Sequence, residues 1–268
     1  MRKREGQLVA STEADADDDP RFVAALARGL SVLRAFRRGD AGLGNQDLAT
    51  RTGLAKSTIS RLTYTLSRLG YLEYSASTGR YSLSVAALAL GFSALGGLAV
   101  RDVARPMMQA LADNVGCSVA LGAPDRRTMV YIEHCRGSSP LHIGMEIGAH
   151  VRMATSAMGR AYLASLDASA RDRLLDEICP PDDMGAFMRD GVRRSVDQLR
   201  LNGFVTSIGE WQSEINSVGV PLLLHGSQPY ALNCGGSAHV LTAARLDDIG
   251  RDLVALARQV QMAFGRQD

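Results

Sequence analysis

The chain has 268 residues, of which 46% are hydrophobic, 22% are charged and only 8 are prolines. This composition is typical of a globular protein with a packed core, and it excludes a fibrous or largely disordered chain. The length is about twice the common domain size and favours two domains. The formal charge is only +2, but residues 21–100 contain ten basic and three acidic residues, a local charge of +7. A compact basic segment therefore lies inside a nearly neutral chain.

Two features bear on the cellular compartment. The four cysteines are widely spaced without a CxxC pair, and the N-terminus has no secretory leader, which favours a reducing cytoplasm. Residues 81–100 carry no charge and match the length of a membrane-spanning helix. Serines and glycines interrupt this stretch, so we expect a buried helix, and no membrane partner, in preference to a membrane span.

Apolar residues spaced three and four apart predict helices in the N-terminal third, and short alternating runs predict a hairpin. The acidic residues 1–20 lack such a pattern, so we expect a disordered tail there. Three glycines indicate a turn at 39–44, after which Asn45 is the expected cap of a short helix that stops at Gly53. The predicted elements are helix 22–36, this short helix, helix 56–69, and strands 71–74 and 80–83.

Helix 56–69 has two chemically different sides. Its apolar residues are spaced to face a core, namely Ile59, Leu62, Leu66 and Leu69. The opposite side carries hydroxyl groups, arginines and a tyrosine, and the helix contains no carboxylate. A short helix before it and a hairpin after it complete the order of a helix-turn-helix with a wing, whose second helix enters the major groove. The alternative is a polar face that is merely solvated.

The candidate DNA contacts are side chains that donate hydrogen bonds. Hydroxyl groups near the helix start lie beside backbone N–H groups that favour a phosphate. Arginines can reach guanine edges or the DNA backbone, and a tyrosine can donate to a phosphate. Arg80 lies where a wing would meet the neighbouring groove. The set is Asn45, Lys56, Ser57, Thr58, Ser60, Arg61, Tyr64, Arg68 and Arg80.

Beyond the uncharged helix 84–98 the pattern becomes a mixture of helix and strand without an internal repeat, which predicts a single α+β domain over residues 101–268. The predicted helices are 84–98, 100–114, 156–165, 169–178, 185–202 and 242–264. The predicted strands are 118–121, 129–133, 141–143, 204–208, 215–224 and 230–235.

Several segments together resemble one protein family. ALARGLSVLRAF at 25–36, DLATRTGL at 47–54, KSTISRL at 56–62, LGYL at 69–72 and GRYSL at 79–83 resemble the winged helix-turn-helix of IclR-family bacterial transcriptional regulators. MATSAMGRAYLA at 153–164 and SVGVPL at 217–222 are similar to the effector domain of that family. The resemblance spans about residues 20–265. It implies a repressor or activator of transcription, with a winged helix-turn-helix at 21–84, a linker helix at 85–99 and an effector domain at 100–268.

The resemblance also implies a GAF-like effector domain, in which a sheet flanked by helices holds a small-molecule pocket. A helix N-terminus near residues 155–157 would favour a carboxylate, so a small carboxylic or aromatic acid is the expected effector. Close packing of small residues is the alternative for each candidate. The strand NCGGS at 233–237 departs from the serine-rich strand common in the family. Carried over by motif, the pocket residues are Ala157, Met158, Ser207, Ser217, Cys234 and Gly236.

Family members commonly form dimers or tetramers, and the resemblance leaves that choice open here. A dimer would place two recognition helices in successive major grooves of a palindromic promoter site. The uncharged helix 84–98 would then bury its apolar surface against the partner subunit.

An enzyme with an unrecognised cysteine or histidine site is the main rival. The chain lacks the GxSxG, phosphate-loop and GxGxxG motifs, and Lys3 and Lys56 are its only lysines. The spacing of the histidines and cysteines fits no standard metal site, so we expect neither a metal nor another cofactor. Trp211, the one tryptophan, is expected to be half-buried by packing, with stacking on an aromatic effector as the alternative.

Overall fold

The computed structural model describes residues 19–138 and 145–265, and the chain divides into two compact units, Met1–Gly97 and Leu98–Asp268. Nearly all of the predicted tail, and the predicted strand 141–143, lie outside the described residues. In the part that is described, the first unit is helical with one hairpin, and the second contains a six-stranded sheet with helices on both faces. The fold class is therefore α+β, as predicted.

The first unit contains a helix-turn-helix followed by a hairpin. Gly53 separates the two helices of this motif with φ of 72°, a left-handed conformation that glycine adopts without steric cost. A buried apolar cluster holds the unit together, with Val32, Leu48, Ile59 and Leu66 from its first three helices and Leu72 from its hairpin. The elements are α1 (Ala24–Arg34), α2 (Asn45–Thr52), α3 (Lys56–Arg68), β1 (Leu72–Ser75), β2 (Arg80–Leu83) and α4 (Val85–Gly96).

The buried side of α3 differs in one residue from the sequence prediction. Ile59 and Leu66 are buried as expected, but Leu69 lies beyond the last helical turn and is 64% exposed. Thr63 takes the place in the core, and its hydroxyl donates to the Ile59 carbonyl at 3.0 Å. This helical bond satisfies the buried hydroxyl, which is why a polar residue is tolerated there.

The start of α2 also corrects the sequence prediction. Gly44, and not Asn45, is the N-cap residue, and Asn45 is the first residue of the helix. The carboxylate of Asp47 accepts a hydrogen bond from the Gly44 backbone N–H at 3.0 Å. An acidic residue at the third helical position thus does the capping that was expected of Asn45.

The uncharged helix α4 is exposed within the single chain, so its burial against a partner subunit stays a prediction. Val85, Leu88 and Phe92 are 75%, 57% and 64% exposed. Ser84 caps the helix by accepting a hydrogen bond from the Ala86 N–H. Among the described residues, no single helix combines the length and apolar character needed to cross a membrane.

The second unit is built on an antiparallel sheet with the strand order β5-β4-β3-β8-β7-β6. Its strands are β3 (Ser118–Asp125), β4 (Thr128–Cys135), β5 (His150–Arg152), β6 (Val205–Ile208), β7 (Ile215–Leu222) and β8 (Tyr230–Ser237). Its helices are α5 (Ala99–Val115), α6 (Ala157–Ser165), α7 (Ala168–Ile178), α8 (Asp183–Asn202) and α9 (Leu246–Phe264), the last preceded by a 3-10 turn at Ala243–Arg245.

Each face of this sheet packs against different helices. α5 and α9 cover one face, where Glu133 of β4 is buried and binds Arg101 and Arg105 of α5 at 2.9 and 2.6 Å. α6 covers the other face, and α8 packs against α6. Gly219 of β7 allows this close contact, because a Cβ there would lie 2.2 Å from the Ala157 carbonyl oxygen. The face covered by α6 is called the inner face below.

Candidate nucleic-acid interface and effector cavity

The exposed side of α3 forms a continuous polar stripe. Ser57, Arg61, Tyr64 and Arg68 occupy positions i, i+4, i+7 and i+11, which align along one side of a helix. All four are exposed, and Tyr64 is 66% exposed. The stripe lies opposite the buried residues and contains no carboxylate. It is therefore free to approach a polyanion.

The other predicted contacts on α3 flank this recognition stripe. Lys56 and Ser60 are exposed on one side of it, and Thr58 is half-buried on the other. Thr65 is also exposed but was missing from the predicted set, and its hydroxyl donates to the Arg61 carbonyl at 3.0 Å. Asn45 is half-buried on α2.

The N-terminus of α3 has free backbone donors. Its N-cap residue is Ala55, whose side chain cannot accept a hydrogen bond. The first N–H groups of a helix have no partner within the helix, and together with the helix dipole they favour a phosphate. Lys56 and Ser57 are exposed at this end of the helix, so the surface there attracts anions.

Arg80 is placed differently from Arg61 and Arg68, the two arginines predicted to contact DNA from α3. Its guanidinium turns back onto its own unit, donating to the Gly42 carbonyl at 2.7 Å and to the Asp47 carboxylate at 3.1 Å. Arg61 and Arg68 lie on the exposed stripe of α3, away from these groups. The predicted contact between Arg80 and a neighbouring groove is still only a prediction.

Four of the six predicted effector residues lie on or against the inner face. Ser207 of β6 lies opposite Ser217 of β7, and the Ser207 hydroxyl donates to the Thr155 carbonyl at 2.8 Å. Ala157 and Met158, in the first turn of α6, are buried against the same face. These four residues share the inner face, and their role in binding an effector stays a prediction.

Cys234 and Gly236 belong to the opposite face, and this corrects the predicted pocket. Ser217 of β7 pairs with Gly235 of β8. Cys234 and Gly236 lie on either side of Gly235 and pair with Val218 and Asn216, the two neighbours of Ser217. Neighbouring residues of a strand point to opposite faces, so Cys234 and Gly236 cannot line a cavity under α6. A Cβ at Gly236 would lie 3.0 Å from the Cys117 sulfur, on the side of α5 and α9. Their neighbours in sequence, Asn233 and Gly235, occupy the inner face instead.

A small cavity of about 10 Å³ lies on the inner face. Such a volume is close to the minimum for one water molecule. The Oδ1 atom of Asn233 is buried and has no hydrogen-bond partner among the described residues, and the same is true of Oγ1 of Thr155. Burial raises the pKa of Tyr131 to about 12, so its hydroxyl remains protonated near neutral pH. The lining residues are Ser118, Ala120, Tyr131, His134, Met145, Asn233 and Gly235.

Arg160 of α6 is a charged residue of this domain that the sequence reasoning missed. Its side chain is 2% exposed and forms an ion pair with Glu210. Its Nε atom donates to the Ala154 carbonyl at 2.9 Å, so it fixes the loop that leads into α6. The Arg160 guanidinium holds the pKa of the Glu210 carboxyl below its usual value.

Trp211 is half-buried and packs against the apolar cluster of the inner face, as its predicted packing role requires. Among residues 19–138 and 145–265, no group of three or more histidine, cysteine or acidic side chains is placed to hold a metal ion.

Comparisons with known proteins agree with this architecture. Residues 25–76 match the IclR helix-turn-helix domain, and residues 92–262 match the family described as bacterial transcriptional regulator IclR C-terminal. The chain is 30% identical over 245 residues to the HTH-type transcriptional regulator TsaQ1/TsaQ2 of Comamonas testosteroni, covering 90% of this chain and 88% of that protein.

Solved structures share the fold. An IclR family regulator from Brucella abortus is 39% identical, with a TM-score of 0.85 over 95% of this chain and 96% of that one. An IclR homologue from Microbacterium hydrocarbonoxydans, complexed with 4-hydroxybenzoate, is 20% identical, with a TM-score of 0.72 over 90% of this chain and 99% of that one. The protein is therefore a DNA-binding transcriptional regulator of the IclR family.

Proposed function

We propose that the recognition stripe of α3 reads promoter DNA in the major groove. The observation that carries the proposal is the alignment of Ser57, Arg61, Tyr64 and Arg68 on an exposed surface without a carboxylate. Arg61 lies at the middle of the stripe, where a guanidinium can bind a guanine edge. Lys56 and the free N–H groups at the start of α3 would bind phosphates and set the register. The site of action would be the bacterial cytoplasm, where the DNA target lies.

We infer that the regulator works as a dimer formed through its first unit. α4 exposes Val85, Leu88 and Phe92, and α1 exposes Leu26 and Leu30. Apolar surface of this extent on a soluble protein is a mark of an interface. Pairing of two chains would bury it and place two copies of α3 on one DNA site. A tetramer would require a second interface.

DNase footprinting on the region upstream of the protein's own gene tests both proposals together. Two protected half-sites about 34 Å, or one helical turn, apart are expected from a dimer. The variant Arg61→Ala should lose the footprint at protein concentrations where the wild type protects fully. Protection of a single short site by the wild type would contradict the dimeric arrangement.

We propose that the inner face binds a small organic acid that carries a hydroxyl group. Oδ1 of Asn233 is an acceptor without a donor, which a ligand hydroxyl would supply. The N-terminus of α6, at Ala157 and Met158, would favour the carboxylate. The ligand 4-hydroxybenzoate, with which a relative of the family was solved, has both a hydroxyl group and a carboxylate. Entry of such a ligand needs more than about 10 Å³ and would displace Met145, a flexible side chain that lines the cavity.

A matched pair of compounds tests the ligand class. Thermal unfolding is followed with 4-hydroxybenzoate and with benzoate, which lacks the hydroxyl group. 4-Hydroxybenzoate should raise the midpoint temperature of unfolding more than benzoate does. A ligand that binds only the native state stabilises that state, and the tighter ligand stabilises it more. In the variant Asn233→Leu the difference between the two should vanish. An equal response to both compounds in the wild type would contradict the role of Asn233.

The alternative of an enzyme is less favoured, because relatives such as TsaQ1/TsaQ2, XynR and KdgR are transcriptional regulators. The effector must instead act by binding one conformational state of the regulator more tightly than another.

A further inference from the structure

The wing hairpin is tied to the helix-turn-helix by one pair of charged side chains, Asp47 of α2 and Arg80 of β2. Their atoms Oδ2 and Nη1 are 3.1 Å apart, and both side chains are partly exposed. The same Oδ2 atom accepts the Gly44 N–H at 3.0 Å, and the same Nη1 atom donates to the Gly42 carbonyl at 2.7 Å. The pair thus joins the start of β2 to the turn and first residues of α2.

The backbone around this pair is arranged for close approach. Gly42 has φ of +100°, and a Cβ there would lie 3.1 Å from the Cβ of Arg80 and 3.2 Å from the Tyr81 carbonyl. Leu43 and Tyr81 exchange two backbone hydrogen bonds of 2.8 and 2.9 Å beside it. Arg80 is therefore packed lengthwise against the turn, and Nη1 of its guanidinium donates to two acceptors of its own unit.

We propose that Asp47 and Arg80 form a clamp that positions the wing relative to α3, and that Arg80 is a positioning residue and not a phosphate contact. This inference rests on the proposed DNA-binding function of the first unit. α2 and α3 share one apolar core, so a wing fixed to the start of α2 is also fixed relative to the recognition stripe. Loss of the clamp would loosen the start of β2, where the backbone bonds between Leu43 and Tyr81 remain, and DNA binding would then have to fix the wing in place.

The negative charge of Asp47 allows a positioning role to be distinguished from simple repulsion of the DNA phosphates. A carboxylate at a DNA-binding surface repels phosphates, so its removal should tighten DNA binding if the carboxylate has no positioning role. The clamp predicts the opposite. The variant Asp47→Asn keeps an oxygen for the Gly44 N–H and removes the negative charge that holds Arg80, so it weakens the clamp and leaves the helix cap an acceptor.

The experiment measures fluorescence anisotropy of a labelled duplex from the region upstream of the protein's own gene, at several salt concentrations. Arg80→Ala and Asp47→Asn should each weaken binding about three- to tenfold, as expected for loss of a partly exposed charged hydrogen bond. The salt dependence should stay that of the wild type, and the double variant should bind about as well as either single variant. Circular dichroism of each variant should retain the helical signal of the wild type.

Different results would overturn the clamp. If Arg80→Ala lowers the slope of log affinity against log salt by about one, Arg80 contacts a phosphate. If Asp47→Asn binds DNA as tightly as the wild type or more tightly, Asp47 positions nothing. Failure of the wild type itself to bind the duplex would instead contradict the proposed DNA-binding function, so the two failures are distinguishable.

Discussion

Arg160 and Glu210 form an ion pair at the base of the loop that precedes α6, with Nη1 and Oε1 2.9 Å apart. The arginine is almost completely buried, and Glu210 is its carboxylate partner. Removal of one partner of a buried pair leaves an uncompensated charge, which costs about 3 kcal/mol or more. We therefore expect Glu210→Ala to lower the free energy of unfolding by about 3 kcal/mol, as measured by urea denaturation. The exposed Arg193→Ala on α8 should change it by less than about 0.5 kcal/mol.

The same pair predicts a dependence on pH. Because Arg160 lowers the pKa of Glu210 in the folded protein, the stabilisation is present above the ordinary glutamate pKa near 4.5. It is lost as the pH falls through the lower folded-state pKa. The difference in unfolding free energy between the wild type and Glu210→Gln should therefore be full at pH 7 and smaller below pH 4.5. A difference that grows on acidification would contradict the assigned ion pair.

Arg61 should make the base-specific contact of α3. Arg61→Ala is expected to weaken binding to the cognate site by about 1–3 kcal/mol and to relax sequence preference at one position. Competition binding with single-base variants of the footprinted site measures both effects. Arg34→Ala, which removes an exposed arginine at the end of α1, is the control for net charge. Unchanged affinity and unchanged preference in Arg61→Ala would show that α3 does not dock as proposed.

The apolar surface of the first unit should hold two chains together. Phe92→Asp replaces an exposed aromatic residue on α4 and should weaken self-association at least tenfold, since burial of such a side chain contributes about 2 kcal/mol. Sedimentation velocity over a range of concentrations measures the shift from dimer to monomer. Leu201→Asp, at a residue of α8 that is 75% exposed, is the matched control and should leave the association constant unchanged. Equal sedimentation of both variants would remove α4 from the interface.

Thr155 offers a stabilising substitution. Its Oγ1 atom is buried without a partner among the described residues, so Thr155→Val should raise the unfolding free energy by about 1 kcal/mol. The adjacent Ser156 caps α6 by accepting the Gly159 N–H, and Ser156→Ala should lower it by a similar amount. Urea denaturation of the two variants and the wild type, without ligand, measures both changes in unfolding free energy. Destabilisation by Thr155→Val would mean that the hydroxyl already has a partner.

Much of the fold follows from periodicity in the sequence. The recognition helix was predicted at 56–69 and is found at Lys56–Arg68, because its apolar spacing and Gly70 define it locally. β5 was missed, since three residues are too few for an alternating pattern to be detected. The cap at Gly44 was missed because it depends on which side chain, Asn45 or Asp47, reaches the backbone.

The effector site was harder to predict for a physical reason. A shift of one residue along a strand moves a side chain to the other face of the sheet. Motif comparison chose Cys234 and Gly236, whereas the pairing of β8 places Asn233 and Gly235 on the inner face. Arg160 was not identified because its partner Glu210 is 50 residues away in sequence. Such a contact exists only after the chain has folded.

The central claim is that the carboxylate-free stripe of α3 docks on DNA. Its most direct test is the affinity of the purified protein for its upstream duplex between 50 and 300 mM salt, with Arg61→Ala and Arg68→Ala beside it. We predict a linear fall of log affinity with log salt, with a slope of about −0.9 for each phosphate neutralised, and weaker binding by both variants. Binding that is absent, or that does not depend on salt, would contradict the account.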